Sequence, residues 1–200
     1  MRGIALGVTA VLVFGVTGAA AVVLKSQGNI TSRNITGLLS KNRPKAVAAD
    51  PNDPNADQAL NIMIMGTDSR DGENAKLGGA EAGMRSDTAM VMHVSADRKR
   101  IDLVSIPRDT IVDIPACTRA NGTTSKPQKN GQFNAAFNTG SLSGEVSDAA
   151  ACTLKTIEQD TGISFGAKAN YVVIDFAGFE KMVNALGSIC LLYTSDAADE

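Results

Sequence analysis

Two short polar motifs follow apolar runs in this chain. Gly66-Thr67-Asp68-Ser69-Arg70 follows Leu60–Met65, and Ser105-Ile106-Pro107-Arg108-Asp109 closes the run Ile101–Ile106. Between them Arg85-Ser86-Asp87-Thr88 opens the run Ala89–Val94. Strand ends arranged in this way would present Asp68, Arg70, Arg85, Asp87, Arg108 and Asp109. Carboxylates alternating with arginines suit one task above others, the joint holding of a divalent metal and a polyanionic phosphate. Mg2+ takes one or two carboxylates and completes its shell with water and phosphate oxygens. Asp68 and Asp87 are candidate ligands if their strands are neighbours. Arg70, Arg85 and Arg108 would grip phosphate with two parallel bonds each, which Lys does less well. Asp109 would orient Arg108 or accept a proton from an attacking hydroxyl. Any one motif alone reads equally as a turn cap or a surface ion pair, because Asp-Ser and Asp-Thr pairs are common in turns. Pro107 fixes the end of its strand, and three such motifs together favour a site.

The elements that must position these residues follow from the apolar pattern. Leu60–Met65 is a continuous apolar run with one polar member, Asn61, as expected of a buried strand. Thr88–Val94 and Ile101–Ile106 are two further strands, joined across Ala96-Asp97-Arg98-Lys99 as a hairpin. Thr118–Gly131 reads as a polar loop. Ser147 is the expected cap of a helix that runs to about Asp160 and stops at Gly162, with Ala150, Leu154 and Ile157 on its apolar face. Tyr171–Ile174 is a short strand. Asp175 caps a helix whose Phe179, Met182, Val183 and Leu186 share one face, and Gly187 ends it. Strands interleaved with helices predict an α/β domain, or α+β, built on a central mixed sheet flanked by helices.

Residues 3–24 carry no charge and are long enough to span a bilayer. They predict one N-terminal transmembrane helix behind a two-residue cytoplasmic tail, 1–2. The competing reading is a signal peptide cut near Ala19-Ala20-Ala21. Lys25, Arg33, Lys41, Arg43 and Lys45 follow the span, which by the positive-inside rule opposes export of the domain. A single early span favours export, and we take the domain to lie on the extracellular side of the cell membrane. Residues 25–59 read as a stalk, with Pro44, Pro51 and Pro54 and one helical turn near Ile35–Ser40. For an exported domain Cys117 and Cys152 are a disulfide candidate, set against two unrelated buried thiols, and Cys190 is left over. One His and no Cys-x-x-Cys speak against zinc. A net charge of −2, no Trp and few aromatic residues exclude a basic or base-stacking surface for nucleic acid, and no helix-turn-helix is present.

The three motifs, Gly-x-Asp-Ser-Arg, Arg-Ser-Asp-Thr and Ser-Ile-Pro-Arg-Asp-Thr, resemble those of the LytR-CpsA-Psr family. So do Phe133-Asn134-Ala135-Ala136-Phe137 and the stretch Tyr171–Phe179 through Leu186-Gly187. The anchor, the stalk and the paired cysteines are similar to actinobacterial members. The resemblance implies a phosphotransferase that moves a cell-wall glycopolymer from a polyprenyl-pyrophosphate carrier to a peptidoglycan hydroxyl, with Mg2+ or Mn2+ bound. Alternatives are a pyrophosphatase acting on the carrier and a non-catalytic wall or carrier binding protein. By resemblance Asp68 and Asp87 bind metal, and Arg85, Arg108, Asn134 and, more weakly, Arg70 bind pyrophosphate. Arg108 and Asp109 form the catalytic centre. The carrier chain would need an apolar tunnel, for which Met63, Met65, Met90, Met92, Phe133, Phe137, Phe176 and Phe179 are candidates. Gln132 stands where many members carry Lys, with Lys129 nearby. The resemblance covers residues 60–190 as a partial catalytic domain with an incomplete sheet. Leu191–Glu200 departs from the family pattern and resembles translated linker sequence.

Overall fold

The computed structural model describes residues 30–45, 58–70, 74, 76, 84–187 and 189. The expected tail 1–2, membrane segment 3–24, end segment 191–200 and Cys190 lie outside them. Among the described residues no helix is long and apolar enough to cross a membrane.

The chain divides into two compact units at Arg33. In the second, strands β1 (Leu60–Gly66), β2 (Thr88–Val94), β3 (Ile101–Ile106) and β6 (Tyr171–Ile174) form one sheet in the order β3-β2-β1-β6. β1 runs antiparallel to β2, β2 antiparallel to β3, and β1 parallel to β6. This is a mixed sheet, and with its helices the domain is of the mixed α/β kind expected. β4 (Ile111–Ile114) and β5 (Gln128–Gln132) pair as a separate antiparallel ribbon. The helices are α1 (Asn134–Ser141), α2 (Val146–Thr161) and α3 (Phe176–Leu186).

Register decides which side chains enter the core, because alternate residues of a strand face opposite sides. Met63 pairs with Val91 and Met65 with Ala89, and all four are buried. They join Phe133, Phe137, Leu154 and Ile157 in one apolar cluster. Asn61 shares that face. Its amide is satisfied at both ends: Oδ1 accepts from the His93 ring Nδ1–H at 2.7 Å, and Nδ2 donates to the Ser164 carbonyl at 2.8 Å. The other face carries Ile62, Ile64, Met90, Met92 and Leu103, and Leu103 is 61 % exposed. α1 and α2 pack closely at Gly140, where a Cβ would lie 2.3 Å from the Asp148 carbonyl oxygen.

Three expectations need correction. Residues 25–59 are not all stalk. A 3-10 turn at Thr36–Leu38, initiated by the Asn34 side chain accepting from Thr36 N–H, places Ile35 and Leu39 in the domain's buried cluster. The compact unit begins at Asn34 rather than near Leu60. The turn lies where a helical turn near Ile35–Ser40 is expected, and it is the burial of its two apolar anchors that a polar stretch does not reveal. The expected loop 118–131 contains β5, whose polar residues Gln128, Lys129 and Gln132 are solvated on an exposed ribbon. The N-cap of α2 is Glu145, not Ser147, and its side chain makes no capping bond.

Candidate functional site

Continuing the sheet register past the strands sets the polar motifs side by side. Gly66 pairs with Thr88 and Ala89 with Ile106, so Asp68 comes level with the Arg85-Ser86 segment and Arg108 with Asp87. The first pair is clasped twice. Asp68 N–H donates to the Arg85 carbonyl at 3.1 Å, and the Asp68 carboxylate accepts from Arg85 N–H at 2.6 Å. Thr67 N–H donates to the Ile174 carbonyl, tying this strand end to β6. From the helical side, Asn138 and Ser141 of α1 both approach the Met84 carbonyl at 3.4 Å.

The second pair is looser. The Arg108 guanidinium lies 3.4 Å from Asp87 and 3.4 Å from Asp109, and the three side chains are 55, 47 and 60 % exposed. Thr110 N–H donates to the Pro107 carbonyl, closing a turn that projects Arg108 and Asp109. The turn is carried by the next element. Asn134 N–H donates to the Arg108 carbonyl at 3.0 Å, and Phe133 N–H to that of Thr110 at 2.8 Å. Gln132 donates from its amide to the Asp109 carboxylate at 3.1 Å. Gln132 therefore has a partner inside the site, whereas Lys129 pairs with Asp113 on the ribbon instead.

Of the candidate residues, Asp68 and Arg85 are joined directly, as are Asp87, Arg108 and Asp109. Asn134 meets Arg108 through the backbone. Arg70 is half-buried two residues beyond Asp68. The tunnel candidates do not form one wall. Met63, Met65, Phe133 and Phe137 are core residues, Met90 and Met92 face the other side of the sheet, and Phe176 and Phe179 are exposed. Cys117 and Cys152 are joined by a disulfide that fastens the segment after β4 to α2. One participant carries no motif of its own: Gln132 appears in sequence only as a departure from a family pattern.

Among the described residues no cluster of three or more acidic, His or Cys side chains exists. Asp68 and Asp87 stand on neighbouring strand ends, and two carboxylates completed by phosphate oxygens and water are the donor set Mg2+ takes.

The fold and the site together define a mixed α/β domain whose strand ends gather exposed arginines and carboxylates. The chain belongs to the LytR_cpsA_psr family, whose profile matches residues 22–200. That match runs through 191–200, the segment set apart in the sequence. Relatives include two proteins named polyisoprenyl-teichoic acid–peptidoglycan teichoic acid transferase TagU. The one from Enterococcus faecalis is 30 % identical over 135 residues, 68 % of this chain and 36 % of that protein. The one from Bacillus subtilis is 34 % identical over 111 residues, 54 % of this chain and 31 % of that protein. The chain spans about a third of the length of these relatives. Among solved structures, B. subtilis TagV aligns with a TM-score of 0.43 at 27 % identity, covering 66 % of this chain and 41 % of that one. TagT with bound octaprenyl pyrophosphate aligns with a TM-score of 0.48 at 21 % identity, covering 80 % and 51 %.

Proposed function

We propose that this protein transfers a cell-wall glycopolymer from a polyprenyl-pyrophosphate carrier to a hydroxyl of peptidoglycan, acting outside the membrane to which residues 3–24 anchor it. The observation that carries the reading is the exposed Asp87–Arg108–Asp109 group beside the Asp68–Arg85 clasp, at one end of one sheet. Family membership and relatives named as teichoic acid transferases support it. The disulfide and the predicted anchor are consistent with an exported protein of the actinobacterial kind.

In this reading Arg85 and Arg108, with Arg70 and Asn134, bind the pyrophosphate of the carrier. Arg108 is suited to follow charge as it develops, because it is held by two long contacts rather than one short one. Asp109 orients Arg108 and takes the proton of the incoming hydroxyl. Gln132 holds the Asp109 carboxylate in place. The new bond joins the acceptor oxygen to the glycopolymer-side phosphorus, and polyprenyl phosphate leaves with the electron pair of the broken P–O bond. Asp68 and Asp87 would hold Mg2+, which when bound offsets phosphate charge.

The test follows labelled glycopolymer from a synthetic polyprenyl-pyrophosphate donor onto peptidoglycan. Arg108→Ala and Asp87→Asn should each lower transfer by at least about 10²-fold, the usual loss when one such electrostatic group is removed. Transfer that survives both substitutions would overturn the reading. Release of phosphate at full rate without peptidoglycan would instead make the protein a hydrolase of the carrier.

A further inference from the structure

Asn74 is 6 % exposed and uses both poles of its amide on a single neighbour, the first turn of α3. Its Nδ2 donates to the Asp175 carboxylate at 2.8 Å, and its Oδ1 accepts from Ala177 N–H at 2.8 Å. Asp175 in turn caps the helix by accepting from Gly178 N–H at 2.7 Å. A Cβ at Gly178 would lie 2.8 Å from the Asp175 carboxylate oxygen and would push the capping side chain aside. Two helix-terminal N–H groups are thus satisfied by two side chains from segments 101 residues apart.

Asn74 also lies between the two halves of the Asp68–Arg85 clasp, which are 17 residues apart in the chain. Closing a long connection costs entropy, and an anchor partway along divides that closure between two shorter spans. The two ends of the connection have their own supports, β6 at Thr67 and α1 at Met84. α3 supplies the third through Asn74. We infer that Asn74 is a positioning residue of this site: by fastening the β1–β2 connection to the first turn of α3, it holds Asp68 and Arg85 in register. The importance of that register for ligand binding rests on the function proposed above, whereas the fastening itself does not.

Amide hydrogen exchange on the full chain tests the fastening. Asn74→Ala should speed exchange at the Asp68 and Arg85 amides about tenfold, as expected from losing a hydrogen bond to a charged group. The Met63 amide, which donates to the Asn170 carbonyl, should be unchanged. The paired change Asn74→Asp with Asp175→Asn reverses the donor and acceptor between the two side chains. It keeps both helix N–H groups satisfied and should restore slow exchange. Unchanged exchange at Asp68 and Arg85 would overturn the inference. So would equal acceleration at Met63, which would mark a merely structural role, and so would failure of the paired change to restore protection. Calorimetry with inorganic pyrophosphate and Mg2+ provides the second readout, with about tenfold weaker binding expected for Asn74→Ala and wild-type binding for the paired change. If the wild type binds no pyrophosphate, the functional reading falls, and the exchange result still decides the role of Asn74.

Discussion

Charge is handled in opposite ways at Arg43–Glu158 and at Arg108. On α2, Glu158 keeps 3 % of its side chain exposed and receives the Arg43 guanidinium at 2.7 Å through parallel bonds. Arg43 also donates to the Gly166 and Ala167 carbonyls. The pair is tied into the fold from both sides. Around Arg108 the charges stand half in water, and their contacts are long. Water competes well with such contacts, so they contribute little to stability and yield readily to a polyanion. The helical side of the domain uses charge to close the structure, and the strand ends hold charge ready for use.

Perturbing each region in turn would sharpen the contrast. The largest effect is expected at Glu158→Ala, which leaves the largely enclosed Arg43 guanidinium without its carboxylate. It should lower unfolding free energy by about 3–5 kcal/mol in urea titration. Breaking the Cys117–Cys152 bridge by paired Cys→Ala changes should cost about 2–4 kcal/mol by the same measurement, since the bridge closes a 35-residue separation in the unfolded chain. Arg108→Ala should shift stability by no more than about 0.5 kcal/mol while abolishing pyrophosphate binding. A large loss of stability there would erase the distinction between the two regions. The smallest effect belongs to the ribbon. The Lys129 ammonium bonded to Asp113 holds that carboxyl below its ordinary value of 3.8, helped by the Asn130 N–H. A lowered folded pKa means that this contribution is present above the ordinary value and is lost as pH falls through the folded one. Lys129→Met should move the Asp113 titration upward in an NMR series, with little change in melting temperature.

The strand-end residues were legible because each follows a strand whose apolar run is unmistakable. Leu60–Met65, Thr88–Val94, Ile101–Ile106 and Tyr171–Ile174 need only neighbouring positions to bring Asp68, Asp87 and Arg108 level. What the sequence hides is whatever depends on single contacts between distant segments. Ile35 and Leu39 are core residues in a stretch whose composition is that of a linker. Asn74 looks like any loop asparagine until the first turn of α3 is placed against it. Gln132 belongs to a strand made almost wholly of polar residues, which no hydropathy pattern reveals. The face of α3 bearing Phe179, Met182 and Leu186 is apolar, as its spacing predicts, and exposed rather than packed. Periodicity reports an amphipathic face and is silent on what covers it.

The parallel pairing of β1 with β6 has a consequence in time. Asn74 must wait for Ala177, 103 residues later, before its acceptor is filled. At synthesis rates of about 5–20 residues per second that delay is about 5–20 s. Through that interval β1 has its hairpin neighbour β2 but an open edge on the other side. The nascent chain is then most vulnerable to pairing with the wrong partner, because an open strand edge is a template for any other extended segment.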